Sequence, residues 1–417
     1  MGNNVKQVKL GDITTYNKGF AFNSKEYTDE GTMVVRVSDF TQESVSKDNA
    51  VYISEKDKYE PFRLNTDDIL IQTVGSWANN PNSIVGKVVK VPKDCAGMYL
   101  NQNIVRIIPK EGFNNRYLYY ALKANKFPYY CVMRGQGAAN QASITLDTIF
   151  RFKFNAHDEE AQDRIASILS TYDDLIEKNN RKIEILQEMA EELYKEWFVR
   201  FRFPGYKTAK FTDGIPDGWK VKKANEIFDI TIGRTPSRAI FSYFTDEREG
   251  NYSWISISDM RNKMFVSDTK EYLTKEAINS CNMPMVAPNT VLLSFKLTVG
   301  QVSITTEETS TNEAIAHFNT QDENLREYTY LYLQNFNYNE LGNTSAIGNA
   351  INSTIVKNMK FVLPDEDLLV KFKGIAGNIV DTILLLTKQN NNLKQQRDLL
   401  LPRLMSGKLE VKVKQEV

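Results

Sequence analysis

Twice along this chain the apolar positions fall into a step of three or four. The first stripe runs Ile165, Ile168, Tyr172, Ile176, Asn179, Ile183, Leu186, Ala190, Leu193, Trp197, and the second runs Phe372, Ile375, Ile379, Ile383, Leu386, Asn390, Leu393, Arg397, Leu400, Leu404. A period near 3.6 with one apolar face predicts an amphipathic helix. At about 1.5 Å per residue each stripe, about 33 residues long, would run roughly 50 Å, the length of a coiled-coil strand rather than of an ordinary globular helix. A lone polar side chain in such a seam fixes register, so Asn179 and Asn390 are read as register residues. Elsewhere the pattern shortens. Runs such as VVRV, DILIQTV and IVGKVVKV, punctuated by Gly and Asn, predict strands. A short helical stretch, NRYLYYALKAN at 115–125 and LREYTYLYLQNF at 325–336, interrupts them.

These patterns occur in the same order in both halves. VKLGDI (8–13) matches VKKANEI (221–227), VVRVSDF (34–40) matches WISISDM (254–260), and DDILIQ (67–72) matches NTVLLS (289–294). IVGKVVKV (84–91) matches TVGQVSIT (298–305), NQNIV (101–105) matches NEAIA (312–316), and ITLDTIFRFKFNAHDEE from Ile144 matches INSTIVKNMKFVLPDED from Ile351. The offset drifts from 227 − 13 = 214 to 351 − 144 = 207, as loop insertions would cause, and then holds through both stripes. The chain is a tandem duplication, each copy a mixed domain followed by a long helix.

Composition narrows the chemistry. With 417 residues and 52 basic against 52 acidic side chains, the chain is long enough for two to four domains and has no global field that selects nucleic acid or membrane. Cys95, Cys131 and Cys281 are odd in number and widely spaced, which predicts reduced thiols in a cytoplasmic protein. The N-terminus has no apolar leader, and the longest apolar runs, such as ILLL at 383–386, fall far short of a membrane span. No phosphate-binding loop is present, no Asn-Pro-Pro-aromatic motif, and no nuclease motif after the Pro-Asp pairs at 216 and 364. His157 and His317 lack metal-ligand neighbours and are read as structural or surface residues. A self-contained methyltransferase or nuclease is therefore disfavoured, and a coiled-coil scaffold without DNA contact is the other rival.

Three segments carry a resemblance. DITIGRTPSRAIFSYF through WISISDM (229–260), ELYKEWFVRFRFPG (192–205) and RDLLLPRLMSGKLEV (397–411) resemble, in this order, the opening of a target recognition domain, the end of the central conserved region and the end of the distal one in the specificity subunit of type I restriction-modification systems. The chain departs from that pattern in starting directly in the first domain and in NAHDEE (155–160), where a proline near the helix start is usual. The resemblance covers essentially the whole chain. It implies an α+β fold of two mixed α/β target recognition domains in tandem repeat, separated by two long antiparallel conserved helices forming a coiled coil about a pseudo-twofold axis. The expected limits are 1–156 and 209–364 for the recognition domains, and 157–208 and 365–417 for the helical regions.

The resemblance also implies double-stranded DNA as partner, read as an asymmetric bipartite target, with two modification subunits and restriction/translocase subunits. It implies no cofactor on this chain: S-adenosylmethionine, ATP and Mg would belong to the partner subunits, and no membrane is involved. Half-sites about one turn, roughly 34 Å, apart are within reach of helices of that length.

Base reading needs donors and acceptors on exposed loops, Arg and Lys for guanine, Asn and Gln for adenine. In the first domain QTVGSWANNPNS (72–83) offers Gln72, Thr73, Ser76, Trp77, Asn79 and Asn80, and MRGQGAANQAS (133–143) offers Arg134, Gln136, Asn140 and Gln141. Their counterparts in the second domain are SFKLT (294–298) with Lys296, and GNTSAIGNAINS (342–353) with Asn343, Asn349 and Asn352. Arg234, Ser237 and Arg238 are candidates for phosphate contact. Trp197, Phe198 and Phe201 at the exit of the first long helix are read as packing it against the second domain, with part left as a candidate dock for a modification subunit.

Overall fold

The computed structural model describes residues 5–77, 83–124, 127–138, 141–341 and 351–409. The two stripes form continuous helices, Glu159–Tyr194 and Glu366–Met405. Asp158 and Asp365 start them: each carboxylate accepts a backbone N–H three residues on, from Ala161 and Leu368, both at 2.9 Å, which satisfies a donor that the first turn leaves open. The first helix widens into a π-turn at Lys195–Val199 and the chain leaves through Gly205 (φ +94°), while the second ends near Gly407 (φ +71°). Both exits use the left-handed backbone that glycine adopts without strain.

Packing divides the chain through the middle of both helices. Unit 1 comprises residues 1–175 and 393–417, unit 2 residues 176–392. The helical regions drawn from the sequence thus fall partly in each unit, because an antiparallel pair brings the beginning of one helix to the end of the other. Within unit 1, Ile165, Ala166 and Leu169 share a core with Leu401, Leu404 and Met405. Within unit 2, Trp197 meets Phe372 at 5.7 Å and Asn179 donates to Asn390 at 2.9 Å. Going down 197 − 179 = 18 residues on one helix climbs 390 − 372 = 18 on the other, the signature of antiparallel packing.

Each unit repeats one topology. In unit 1 the main sheet runs Thr14–Lys18, Ile104–Pro109, Ile69–Gln72, Val88–Lys90; in unit 2 it runs Asp229–Ile232, Ile315–Asn319, Val291–Ser294, Val302–Thr305, with Phe265–Val266 added in parallel. Ile69–Gln72 and Val291–Ser294 are wholly buried, as expected for strands covered on both faces. The helices Asn115–Ala124 and Arg326–Gln334 occupy the places of the two predicted short helices. A second sheet in each unit contains one parallel pair, Thr32–Val35 with Tyr99–Leu100 and Tyr252–Ile255 with Ser310–Thr311. An outer antiparallel pair, Lys6–Lys9 with Lys153–Ala156 and Lys220–Lys223 with Lys360–Leu363, brings each domain's ends together and hands the chain to its long helix.

Trp197 and Phe198 are buried in the core of unit 2. Phe198 packs on Phe372 (4.8 Å), Tyr328 (4.9 Å) and Trp219 (5.8 Å), and Phe201 packs on Phe211 and Trp219 at 5.6 Å each. Docking is therefore not the role of Trp197 and Phe198: apolar rings at the end of a helix that meets a sheet lose more water by filling that junction than by waiting for a partner.

Candidate nucleic-acid interface

The strand Ile69–Gln72 ends where the first polar loop begins. Gln72 is fully buried: its side-chain amide donates to the Ser83 carbonyl at 2.8 Å and its backbone carbonyl accepts from the Gly86 N–H. It closes the base of the loop and does not face a base pair. Thr73 is similarly engaged, donating its hydroxyl to the Asn103 carbonyl at 2.8 Å, and the Ser76 and Ser83 hydroxyls pair at 2.8 Å. Trp77 is half-buried against the unit's core. Asn79, Asn80 and Asn140 lie outside the described residues.

The second loop folds into a hairpin, Gln136–Ala138 against Gln141–Ser143, and the latter strand pairs with Val74–Gly75 of the first loop. Two loops more than fifty residues apart in sequence thus form one three-stranded sheet. Gly137 (φ +146°) makes this possible, since a Cβ there would stand 2.1 Å from the Gln141 carbonyl oxygen. Arg134, Gln136 and Gln141 are exposed. Arg134 stacks on the Tyr130 ring at 4.2 Å, and among the described residues no carboxylate lies within ion-pair distance of it. These three side chains offer donors and two acceptors on a braced surface, the chemistry that base edges and phosphates require.

In unit 2 the equivalent loop, between Val291–Ser294 and Val302–Thr305, is shorter, and Lys296 is exposed on it. The Thr235 hydroxyl donates to the Glu313 carboxylate and holds its pKa below the usual range, with the charge of Lys296 acting in the same direction. The neighbouring Ala314 carbonyl accepts from Phe295 at 2.9 Å, so the stretch 313–314 joins the Lys296 loop to the segment carrying Arg234, Ser237 and Arg238. The two arginines are committed locally: Arg234 donates to the Cys281 (2.6 Å) and Asn282 (3.1 Å) carbonyls, and Arg238 forms a bidentate pair with Glu271 at 2.5 and 2.8 Å while lying 4.0 Å from the Phe244 ring. Both brace the segment instead of standing ready for phosphate, and Ser237 is an exposed turn residue. Asn352 caps the helix Ser353–Lys357 by accepting from Ile355 at 3.0 Å, as Thr145 caps Leu146–Phe150 in unit 1. Asn343 and Asn349 lie outside the described residues.

The model of the type I restriction modification DNA specificity domain matches residues 2–187 and 216–396, most of both repeats. The chain belongs to that family. It is 23% identical over 357 residues to the HindI specificity subunit of Haemophilus influenzae, covering 70% of this chain and 77% of that one. To the MjaIX specificity subunit of Methanocaldococcus jannaschii it is 26% identical over 326 residues, covering 75% and 73%. The solved S subunit of the type I restriction-modification system from M. genitalium matches 96% of both chains with a TM-score of 0.54 at 14% identity, a likeness of fold.

Within this member of the specificity-domain family, three devices recur in both units that the sequence pattern did not single out. Asp39 and Asp259, the shared aspartate of VSD and ISD, are buried and accept from the backbone N–H three residues earlier, of Arg36 (2.8 Å) and Ser256 (2.9 Å). Gly19 and Gly233 have no room for a side chain, since a Cβ on either would lie 2.0 Å from Asn101 or Thr311 atoms. Arg116 joins Asp67 (2.9 Å) and Asp174 (3.0 Å), and Arg326 joins Asn289 (3.1 Å) and Asp381 (2.8 Å). Asp67 and Asn289 both sit at φ +66°, a left-handed turn that Asp and Asn tolerate. Each arginine thus ties an inner-strand turn, the short helix and the long helix together within its unit. The aligned DDILIQ and NTVLLS were the available signal, read as strand only.

His317 is fully buried, with its ring nitrogens 2.8 and 2.7 Å from the Thr231 and Thr311 hydroxyls, and burial pushes its pKa down to about 4. It is a structural neutral histidine. Among the described residues no cluster of His, Cys, Asp and Glu is placed to hold a metal, and no helix is long and apolar enough to cross a membrane.

Proposed function

We propose that this chain is the DNA-reading subunit of a type I restriction-modification complex, in which each unit reads one half of an asymmetric bipartite target. The observation that carries this is a repeated fold with unlike surfaces at equivalent loops: the loop after Ile69–Gln72 in unit 1 pairs its Val74–Gly75 strand with the hairpin that exposes Gln136 and Gln141, whereas the shorter loop after Val291–Ser294 in unit 2 exposes Lys296. A common scaffold with divergent loops is how one architecture reads two unlike half-sites. The chain itself catalyses nothing in this reading. Two modification subunits bring S-adenosylmethionine and methylate adenine, restriction/translocase subunits bring ATP and Mg, and the complex works in the cytoplasm.

Exchanging residues 1–156 for the first recognition domain of another member, with the modification partner present, should change one half-site and leave the other, as read by methylome sequencing. A change in both halves, or a chimera that methylates the original target, would sink the reading.

A further inference from the structure

The loop that carries Lys296 holds a residue whose setting is costly on both counts that govern a surface side chain. Leu297 is 96% exposed, more than any other large apolar residue described, and its backbone is left-handed at φ +62°. Water disfavours the first, and steric crowding between Cβ and the backbone disfavours the second for any residue but glycine, asparagine or aspartate. A loop free to relax would avoid both, yet this one is pinned. Ser294, fully buried, donates its hydroxyl to the Thr298 carbonyl at 2.6 Å and accepts from Gln301 at 3.0 Å, while Gly300 donates to the Ser294 carbonyl at 2.9 Å. Phe295, also buried, donates to the Ala314 carbonyl at 2.9 Å and fixes the other arm. The leucine is presented outward on a rigid tip.

The surroundings select the kind of surface it meets. Lys296, beside it in the chain, is exposed and suited to a phosphate, and the Phe295 bond to Ala314 and the Thr235 bond to Glu313 connect the loop to the Thr235 segment. In unit 1 the loop at this place in the fold builds the sheet bearing Gln136 and Gln141. An apolar side chain offered among polar ones to DNA has one large apolar group to find at a base edge in the major groove, the thymine C5-methyl.

We propose that Leu297 is a specificity-determining residue of unit 2 that meets the C5-methyl group of a thymine in its half-site. This rests on the reading of the chain as a DNA-recognition subunit. The test uses the full chain assembled with its modification subunits and the target duplex defined by the methylome of the unaltered complex. Each thymine of the target is replaced in turn by deoxyuridine, which lacks only the methyl group, and binding is measured by competition. One replacement, in one half-site, should weaken binding about fourfold, the worth of one buried methyl-sized group, and Leu297→Gly, which accepts this backbone without strain, should bind the methylated and unmethylated bases equally.

Weakening of the same size in the wild type and in Leu297→Gly, no sensitive thymine, or a half-site without thymine would overturn the proposal, as would failure of Leu297→Gly to assemble with the modification subunits. If the unaltered complex instead reads no bipartite target, the DNA-recognition reading itself falls, so the two failures are told apart. Leu297→Asn, also at ease in the left-handed region, controls for loop shape and should behave as Leu297→Gly does.

Discussion

The main sheets of the two units share four strands in the same order, yet the units are joined to the long helices by opposite chemistry. In unit 1, Arg397 is buried and surrounded by carboxylates: Glu43 at 2.5 and 2.8 Å, Asp173 at 2.6 Å and Asp398 at 2.9 Å. Lys123 holds Glu43 at 2.7 Å and Tyr120 donates to Asp173 at 2.6 Å. At the position equivalent to Arg397, 397 − 207 = 190, unit 2 has the fully buried Ala190, and its junction is the aromatic group of Trp197, Phe198, Tyr328 and Phe372. Buried ion networks add little net stability but fail sharply when one member is removed, whereas aromatic packing adds stability in proportion to area. One fold therefore accepts either junction provided every buried charge is answered. The arginine ties at Arg116 and Arg326 are common to both.

The contrast is broken most severely at its centres. Arg397→Met should leave the half-buried Glu43 and Asp173 without the guanidinium they share, with only Lys123 (2.7 Å) and Lys90 (3.6 Å) to answer them, and cost unit 1 about 3 kcal/mol, while Phe372→Ala should cost unit 2 about 3–5 kcal/mol through the cavity it opens. Hydrogen exchange by mass spectrometry, resolved by peptide, should show each effect confined to its own unit. Equal loosening in both units for either variant would mean that the junctions are not separate.

Acid should act on both units, through His317 in unit 2 and through His157 and Glu43 in unit 1. His317 titrates at about 4 in the folded chain and near 6.5 when unfolded, so the unfolded chain takes up a proton that the fold refuses. Its contribution is whole above pH 6.5 and is lost as pH falls toward 4, up to about 3 kcal/mol from unit 2. In unit 1 burial alone would raise the Glu43 carboxyl, but Lys123 and Arg397 outweigh it and hold its pKa down to about 2. That contribution is present above about 4.5 and disappears only as pH drops toward 2. Burial also holds His157 of unit 1 below the usual imidazole range, so peptide-resolved exchange across pH 7 to 4 should show loosening around both histidines, and His317→Gln should flatten the response of unit 2 alone.

A smaller effect tests the difference between the exposed faces. Gln136→Ala with Gln141→Ala should weaken target binding by about 1–3 kcal/mol for each base edge no longer hydrogen-bonded and relax one half-site only. Unchanged discrimination in a competition assay would reduce both to turn residues. Smallest of all, Asn179→Leu with Asn390→Leu replaces the buried 2.9 Å hydrogen bond by apolar packing and should alter stability by less than about 1 kcal/mol while permitting alternative helix registers. Disulfide trapping between cysteines placed on the two helices would reveal them as products absent from the parent.

The arrangement of repeats and the two long helices could be read from the chain because their signals are periodic: a stripe at 3.6 residues, strand runs in matching order, Asp158 and Asp365 at equivalent helix starts. Periodicity reports which face of an element is buried, since that depends on neighbours three or four places away. It does not report what lies across the gap. Gln72 has the composition of a reader and is buried as a brace, Asn352 is a cap, and Trp197 and Phe198 fill a core, each because of a partner distant in sequence or a local backbone geometry. The meeting of residues 74–75 with the hairpin at 136–143, the commitment of Arg238 to Glu271, and the choice between Arg397 and Ala190 at equivalent positions were likewise settled only by the fold. Hydrogen bonds and ion pairs between distant segments are decided by distances of a few tenths of an ångström, which no spacing along the chain encodes.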